Sequence, residues 1–92
     1  MKVFVVIECG CYSVNSLMCN ALGVHTSFEK AKEEMLECHK QALESAKNIS
    51  NEFVDKISAE VNEMECTLTY FNKVVGITEQ RVVFVEEREI EE

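Results

Sequence analysis

The sequence predicts a small α+β fold, in which an antiparallel or mixed sheet packs on one long helix or two shorter ones. Two observations indicate this class. Segments rich in β-branched residues lie towards both ends of the chain, and an apolar stripe between them repeats with the period of an α-helix. The expected element order is β-β-α(-α)-β-β. With 92 residues, the chain is predicted to form a single domain, residues 1–92.

The first two elements are predicted to be strands of a β-hairpin. Residues 2–9 carry apolar side chains on both faces, which is typical of a central strand. Residues 10–16 are rich in turn-forming side chains. Residues 17–25 can form the second strand, which Gly23 weakens.

The apolar stripe begins where the sequence offers a helix start. Thr26 and Glu29 have the spacing of a capping box, in which their side chains accept hydrogen bonds from each other's backbone N–H groups. Neither proline nor glycine interrupts residues 28–64. The stripe consists of Phe28, Ala31, Met35, Cys38, Ala42, Ala46, Ile49, Phe53, Ile57, Val61 and Met64.

Residues 48–51 are the weak point of this predicted helix. Asn48 could end one helix, and Ser50 could cap a second one. The stripe keeps its phase across the segment, as an uninterrupted helix would. One helix over residues 27–64 and two helices separated near residue 50 therefore both stay open.

The remaining elements are predicted to be two strands. Residues 66–71 alternate in polarity like a half-buried strand, and residues 72–80 form a connection that contains Gly76. Residues 81–87 form a clear final strand, which runs into an acidic segment at residues 88–92.

Residues 2–6 read Lys-Val-Phe-Val-Val, residues 22–31 read Leu-Gly-Val-His-Thr-Ser-Phe-Glu-Lys-Ala, and residues 83–90 read Val-Phe-Val-Glu-Glu-Arg-Glu-Ile. These segments resemble a loose group of small uncharacterised bacterial and phage proteins, in which a strand pair, a G-V-x-[ST]-S-x-E-K-A helix start and an acidic final strand recur. His25 stands where the group usually has an aromatic residue, and residues 48–80 are longer here. The resemblance implies the fold and an origin in a phage or mobile element, without any catalytic activity.

The net charge of −8 restricts the possible partners. An acidic surface repels phosphate groups, so we expect no direct binding to nucleic acid or to an anionic membrane. The longest apolar run, residues 3–7, is far shorter than a membrane span, and it lacks the layout of a signal peptide. The expected location is the cytoplasm, and the favoured partner is a basic protein.

The five cysteines and two histidines offer little catalytic chemistry. An odd number of cysteines argues against a disulfide framework, so we expect free thiols. The best metal candidates are Cys9, Cys11, Cys19, Cys38 and His39, but a C-x-C pair and two adjacent helix positions suit tetrahedral zinc poorly. A nucleophilic thiol would also need a base and an electropositive setting. The sequence therefore predicts no enzyme, no catalytic residue, no metal site and no cofactor.

The leading functional hypothesis is a non-enzymatic protein-interaction module. Its expected role is that of a phage or mobile-element inhibitor that masks a basic surface on a nucleic-acid-binding or defence protein of the host. Taken singly, each acid is more simply interpreted as a solvated surface residue. The candidate partner-binding acids are Glu33, Glu37, Glu44, Asp55, Glu86, Glu87 and Glu89.

Self-association is also predicted, because the long stripe exceeds what one small sheet can cover. We expect a homo-oligomer, most simply a dimer. An alternative hypothesis is a homo-oligomer that binds a small ligand or a metal at the subunit interface, with residues 10–16 lining the site. A purely structural assembly subunit is a third. The candidate self-association residues are Leu36, Leu43, Phe53, Val54 and Ile57.

Overall fold

The computed structural model describes residues 1–13 and 16–91, and it describes the side chains outside residues 11–17. Within this part, the chain forms five strands and one helix. They are β1 (Lys2–Ser13), β2 (Ser16–His25), α1 (Phe28–Asn48), β3 (Val54–Val61), β4 (Glu65–Asn72) and β5 (Ile77–Glu89).

The five strands form one antiparallel sheet in the order β2-β1-β5-β4-β3. The last strand, β5, lies between β1 and β4, so within the sheet it joins the β1–β2 hairpin to the β3–β4 hairpin. Strands β2 and β3 are the edges. The predicted α+β class and antiparallel sheet are confirmed, but the order is β-β-α-β-β-β rather than β-β-α(-α)-β-β.

The prediction of one or two helices over residues 27–64 is wrong beyond residue 48. The helix α1 ends at Asn48, and the N–H of Ile49 donates a hydrogen bond to the Ala46 carbonyl at 3.3 Å. A turn follows, in which the N–H groups of Phe53 and Val54 donate to the Ser50 carbonyl. The chain then continues as strand β3.

A β-bulge explains why strand β3 has a helix-like sequence pattern. The register with β4 shifts between Asp55 and Ser58, where Lys56 has a positive φ of 54°. Because the bulge inserts a residue, the helix-facing positions become Val54, Ile57, Ala59 and Val61, and the three large side chains among them, Val54, Ile57 and Val61, are spaced by three and four residues. Those spacings match an α-helix as well as a bulged strand.

The helix α1 begins at Phe28, close to its predicted start, but without the capping box. Ser27 is the N-cap, and no side-chain hydrogen bond caps the first turn. The Phe28 ring instead packs edge-to-face on Phe4 of β1, with 5.7 Å between the ring centroids. An aromatic contact with the sheet thus holds this end of α1.

One face of the sheet is packed against α1. Two groups of side chains form this core, one around Met35 and one around Leu68. Among the described residues, no helix has both the length and the apolar character needed to span a membrane. The largest fully buried side chains of the core are Val6, Met35, Cys66, Leu68 and Val83.

Candidate interaction surfaces

The acidic residues of β5 and of the β3–β4 turn lie near one end of the sheet. The pairing of Lys2 with Glu89 and of Glu65 with Phe84 brings the start of β1, the start of β4 and the end of β5 to this side. We call this region the acidic end, and it consists of Glu63, Glu65, Glu86, Glu87 and Glu89. Glu86 is half-buried and the others are exposed, and the five carboxylates outnumber the three cations beside them, so the acidic end is net negative.

Three of the predicted partner-binding acids belong to the acidic end, and each has a cation of the same chain beside it. Glu86 is 2.9 Å from Arg88, and Glu87 is 3.4 Å from Lys2. Glu89 is 3.2 Å from the amino group of Met1. Exposed ion pairs of this kind contribute little to stability, so these carboxylates can exchange their cation for one on a partner.

The other four predicted acids lie elsewhere. Glu33, Glu37 and Glu44 share one exposed side of α1, within roughly 40° of arc. The helix as a whole carries five acids and four lysines, so its field is nearly balanced. Asp55 is on β3, 3.4 Å from Lys73. The structure therefore divides the predicted acidic set among three places.

The sheet face opposite α1 is apolar at its centre and is not covered by any described element of the chain. Directly paired residues share a face, so the pairs Ile7–Phe84 and Cys9–Val82 lie on this side together with Val5. We call it the open face, and its central residues are Val5, Ile7, Thr67, Val82 and Phe84. All five are only half-buried.

The two faces of the same strands differ sharply in exposure. On the helix side, Val6, Val83 and Val85 are between 0% and 4% exposed. Among the described side chains of the open face, only Val3, near the acidic end, is buried, with 5% of its surface exposed. Sequence reasoning missed this surface, although apolar residues on both faces of β1 and β5 were its signal.

The predicted self-association residues do not lie on one free surface. Val54 is buried, and Leu43 and Ile57 pack against the core group around Leu68. Leu36 and Phe53 are exposed. Because α1 ends at Asn48, the long stripe that predicted an oligomer is absent, and the dimer remains an untested prediction.

A polar cluster lies between α1 and the sheet. Glu8 of β1 forms an ion pair with Arg81 of β5, and its Oε2 accepts a hydrogen bond from Cys38 Sγ at 3.5 Å. Burial, followed by the charge of Glu8, raises the pKa of Cys38 to about 11. The Cys38 thiol is therefore protonated at neutral pH and is a poor nucleophile.

The histidines and Cys66 have structural surroundings. His25 Nε2 lies 3.2 Å from Glu34 Oε1, a contact between the end of β2 and α1. His39 is buried, and burial lowers its pKa, so it is neutral at neutral pH. Burial and the neighbouring Glu65 raise the pKa of Cys66.

The expectation of free thiols is wrong for two cysteines. Cys9 and Cys19 are directly paired on β1 and β2 and form a disulfide. They lie on the open face, whereas Cys38 contacts Glu8 on the helix side, so the sheet separates the proposed metal ligands. The described residues contain no group of three or more side chains suited to a metal ion.

A shallow pocket of about 130 Å³ lies between α1 and strands β4 and β5. Ligand sites usually exceed about 300 Å³, so this pocket suits no drug-sized ligand. The loop proposed to line a ligand site falls largely on residues 11–17, whose side chains are outside the described part. The pocket is lined by Ala42, Ser45, Ala46, Ile49, Leu68, Tyr70, Gln80 and Arg81.

No protein-family model matches the chain, and no curated protein or solved structure matches it significantly.

Proposed function

We propose that this protein is a non-enzymatic interaction module that binds and masks a basic surface of another protein. The observation that carries the proposal is the acidic end, where residues from β4, β5 and the β3–β4 turn place five carboxylates on one region. A concentrated negative surface accelerates the approach of a basic partner and orients it.

Recognition proceeds by exchange of ion pairs. Lys2 and Arg88 each pair with an exposed carboxylate, and arginine or lysine side chains of a partner can replace them. A row of carboxylates can occupy the surface that a nucleic-acid-binding protein uses for phosphate groups. A phage or mobile-element inhibitor that acts on a host protein in the cytoplasm is the setting that we propose, on the resemblance described above.

The test compares two triple variants of equal net charge. One variant neutralises the acidic end as Glu63→Gln, Glu65→Gln and Glu87→Gln, and the other neutralises α1 as Glu33→Gln, Glu37→Gln and Glu44→Gln. The probe is a synthetic polyarginine peptide of defined length, and binding is measured by calorimetry over a range of salt concentrations. We expect the acidic-end variant to bind the peptide at least about fivefold more weakly than the α1 variant does, because the carboxylates that it loses lie close together.

The α1 variant controls for net charge, since both variants lose three carboxylates. Equal losses of affinity, with equal changes in the salt dependence, would show that only the total charge matters and would contradict the proposal. Thermal unfolding of both variants establishes that each is folded.

A further inference from the structure

The pairing register arranges the open face in diagonal rows. One diagonal is an acidic row that consists of Glu86 on β5, Glu65 on β4 and Glu60 on β3. From each of these strands to the next, the position in the row shifts by two residues away from the acidic end. Val5 on β1, Phe84 on β5 and Thr67 on β4 form the row beside it. Ile7 on β1 and Val82 on β5 continue the apolar surface on the far side.

The helix α1 follows the same diagonal on the opposite face. Its first turn packs on Phe4 of β1, and its last turns pack on Leu68 of β4. In register, Phe4 pairs with Glu87 and Leu68 pairs with Arg81, so α1 crosses from the acidic end towards the other end as it passes from β1 to β4. The sheet thus offers a similar helix path on both faces.

We infer that the open face binds a cationic amphipathic helix of the partner, laid along the rows beside Glu60, Glu65 and Glu86. The inference rests on the proposed function and adds the binding surface and the kind of element that it recognises. Apolar side chains of that helix cover the row of Val5 and Phe84, and lysine or arginine side chains on one flank reach the acidic row.

Charge distinguishes this occupant from a second copy of the chain. The protein has a net charge of −8, and the acidic row borders the apolar centre directly, with Arg88 as the cation paired to one of its three carboxylates, Glu86. A second copy laid on the open face would add its own negative charge to this border, whereas a cationic helix neutralises it. The expected helix is about 11–17 residues long, because three steps between neighbouring strands along the diagonal span roughly 25 Å at most.

The probe for this inference is a synthetic 16-residue peptide with leucines on one helical face and lysines on one flank. Its control is a scrambled peptide of the same composition without a helical face. We expect the amphipathic peptide to bind at least about tenfold more tightly. Amide chemical-shift changes in the ¹⁵N-labelled protein should centre on Ile7, Thr67, Val82 and Phe84.

Matched variants test the contact directly. Phe84→Thr replaces the aromatic ring with a smaller β-branched side chain that also suits a strand, so it should preserve the fold and weaken binding of the amphipathic peptide about tenfold. Leu36→Thr removes a comparable exposed side chain from α1 and should leave the affinity unchanged. Glu65→Gln with Glu86→Gln should weaken binding more than Glu33→Gln with Glu37→Gln.

Each other outcome overturns the inference in a recognisable way. If both peptides bind with equal affinity and the amide chemical-shift changes are confined to residues with exposed carboxylates, the helix site is overturned. The proposed function then still stands. If neither peptide binds, the helix site and the proposed function are both overturned. Open-face shifts that depend on protein concentration alone would assign the surface to a second copy.

Discussion

Glu8 contacts Arg81 and Cys38 at the junction of β1, β5 and α1. The ion pair joins residues that are far apart in the sequence, and only the pairing of β1 with β5 brings them together. Sequence patterns predict which residues of a strand are apolar, but they do not show which strand lies next to it. For that reason the cluster could not be predicted from the sequence.

The first prediction concerns the thiol of Cys38. The charge of Glu8 and its hydrogen bond both raise the pKa of Cys38, so Glu8→Gln should bring that pKa below about 11. Alkylation by iodoacetamide should become faster at neutral pH, because the thiolate fraction increases. The rate at Cys38 is measured by peptide mass spectrometry without reductant, and Glu37→Gln, on the exposed side of α1, serves as the control. An unchanged alkylation rate at Cys38 in Glu8→Gln would contradict the contact between Glu8 and Cys38.

The second prediction concerns the pH dependence of stability. Burial lowers the pKa of His39 in the folded protein, so the unfolded chain binds more protons once the pH falls below about 6.5. Protonation therefore favours unfolding in that window, and His39→Gln should lose less stability than the wild type between pH 7.5 and 5.5. At pH 5.5, about one unit below the ordinary pKa of an unfolded histidine, this difference between the two proteins is at most about 1.4 kcal/mol. Urea denaturation at the two pH values measures it, and parallel losses in both proteins would argue against a buried, neutral His39.

At the scale of secondary-structure elements, most of the fold was predictable. Strands β1, β2, β4 and β5 and the start of α1 follow from local patterns, since each is a short segment with a clear period. Strand β3 was not predictable in the same way, because its bulge at Lys56 gives the spacing of a helix. Two signals nevertheless favoured a strand, namely the poor helix formers at residues 48–51 and the alternation of residues 57–61.

The third prediction tests how α1 packs on the sheet. Met35 is fully buried against β1, β4 and β5, whereas the adjacent Leu36 is 37% exposed. Met35→Ala should lower the free energy of unfolding by about 2–4 kcal/mol through the cavity that it leaves, and Leu36→Ala by less than about 1 kcal/mol. Urea denaturation measures both. Similar losses from the two substitutions would mean that α1 packs on the sheet with a different face.

For the whole molecule, the sequence predicted the sign of the charge but not its location. The acids of β5 and of the β3–β4 turn are more than 20 residues apart in sequence, and the sheet brings them to one end. The open face likewise depends on where α1 lies. Both surfaces that carry the proposals are therefore products of topology, although the residues that form them are ordinary strand residues.

The fourth prediction follows from this uneven charge. Repulsion between the carboxylates of the acidic end opposes folding, and salt screens it. Raising the sodium chloride concentration from about 0.02 M to about 0.5 M should raise the free energy of unfolding by on the order of 1 kcal/mol, as measured by urea denaturation. Glu63→Gln with Glu65→Gln should reduce this gain more than Glu33→Gln with Glu37→Gln. A gain that is the same in both variants would argue against concentrated repulsion at the acidic end.

The central position of β5 has a consequence for folding during synthesis. Strand β5 is the last of the described elements to leave the ribosome, yet it pairs with both β1 and β4. Until it emerges, the β1–β2–α1 portion and the β3–β4 hairpin have no strand to join them. The nascent chain therefore keeps two unpaired inner strand edges exposed, which are sites where chaperones act and where aggregation starts. The sheet is complete only when β5 pairs with β1. These two strands are far apart in the sequence, and such long-range pairing slows folding.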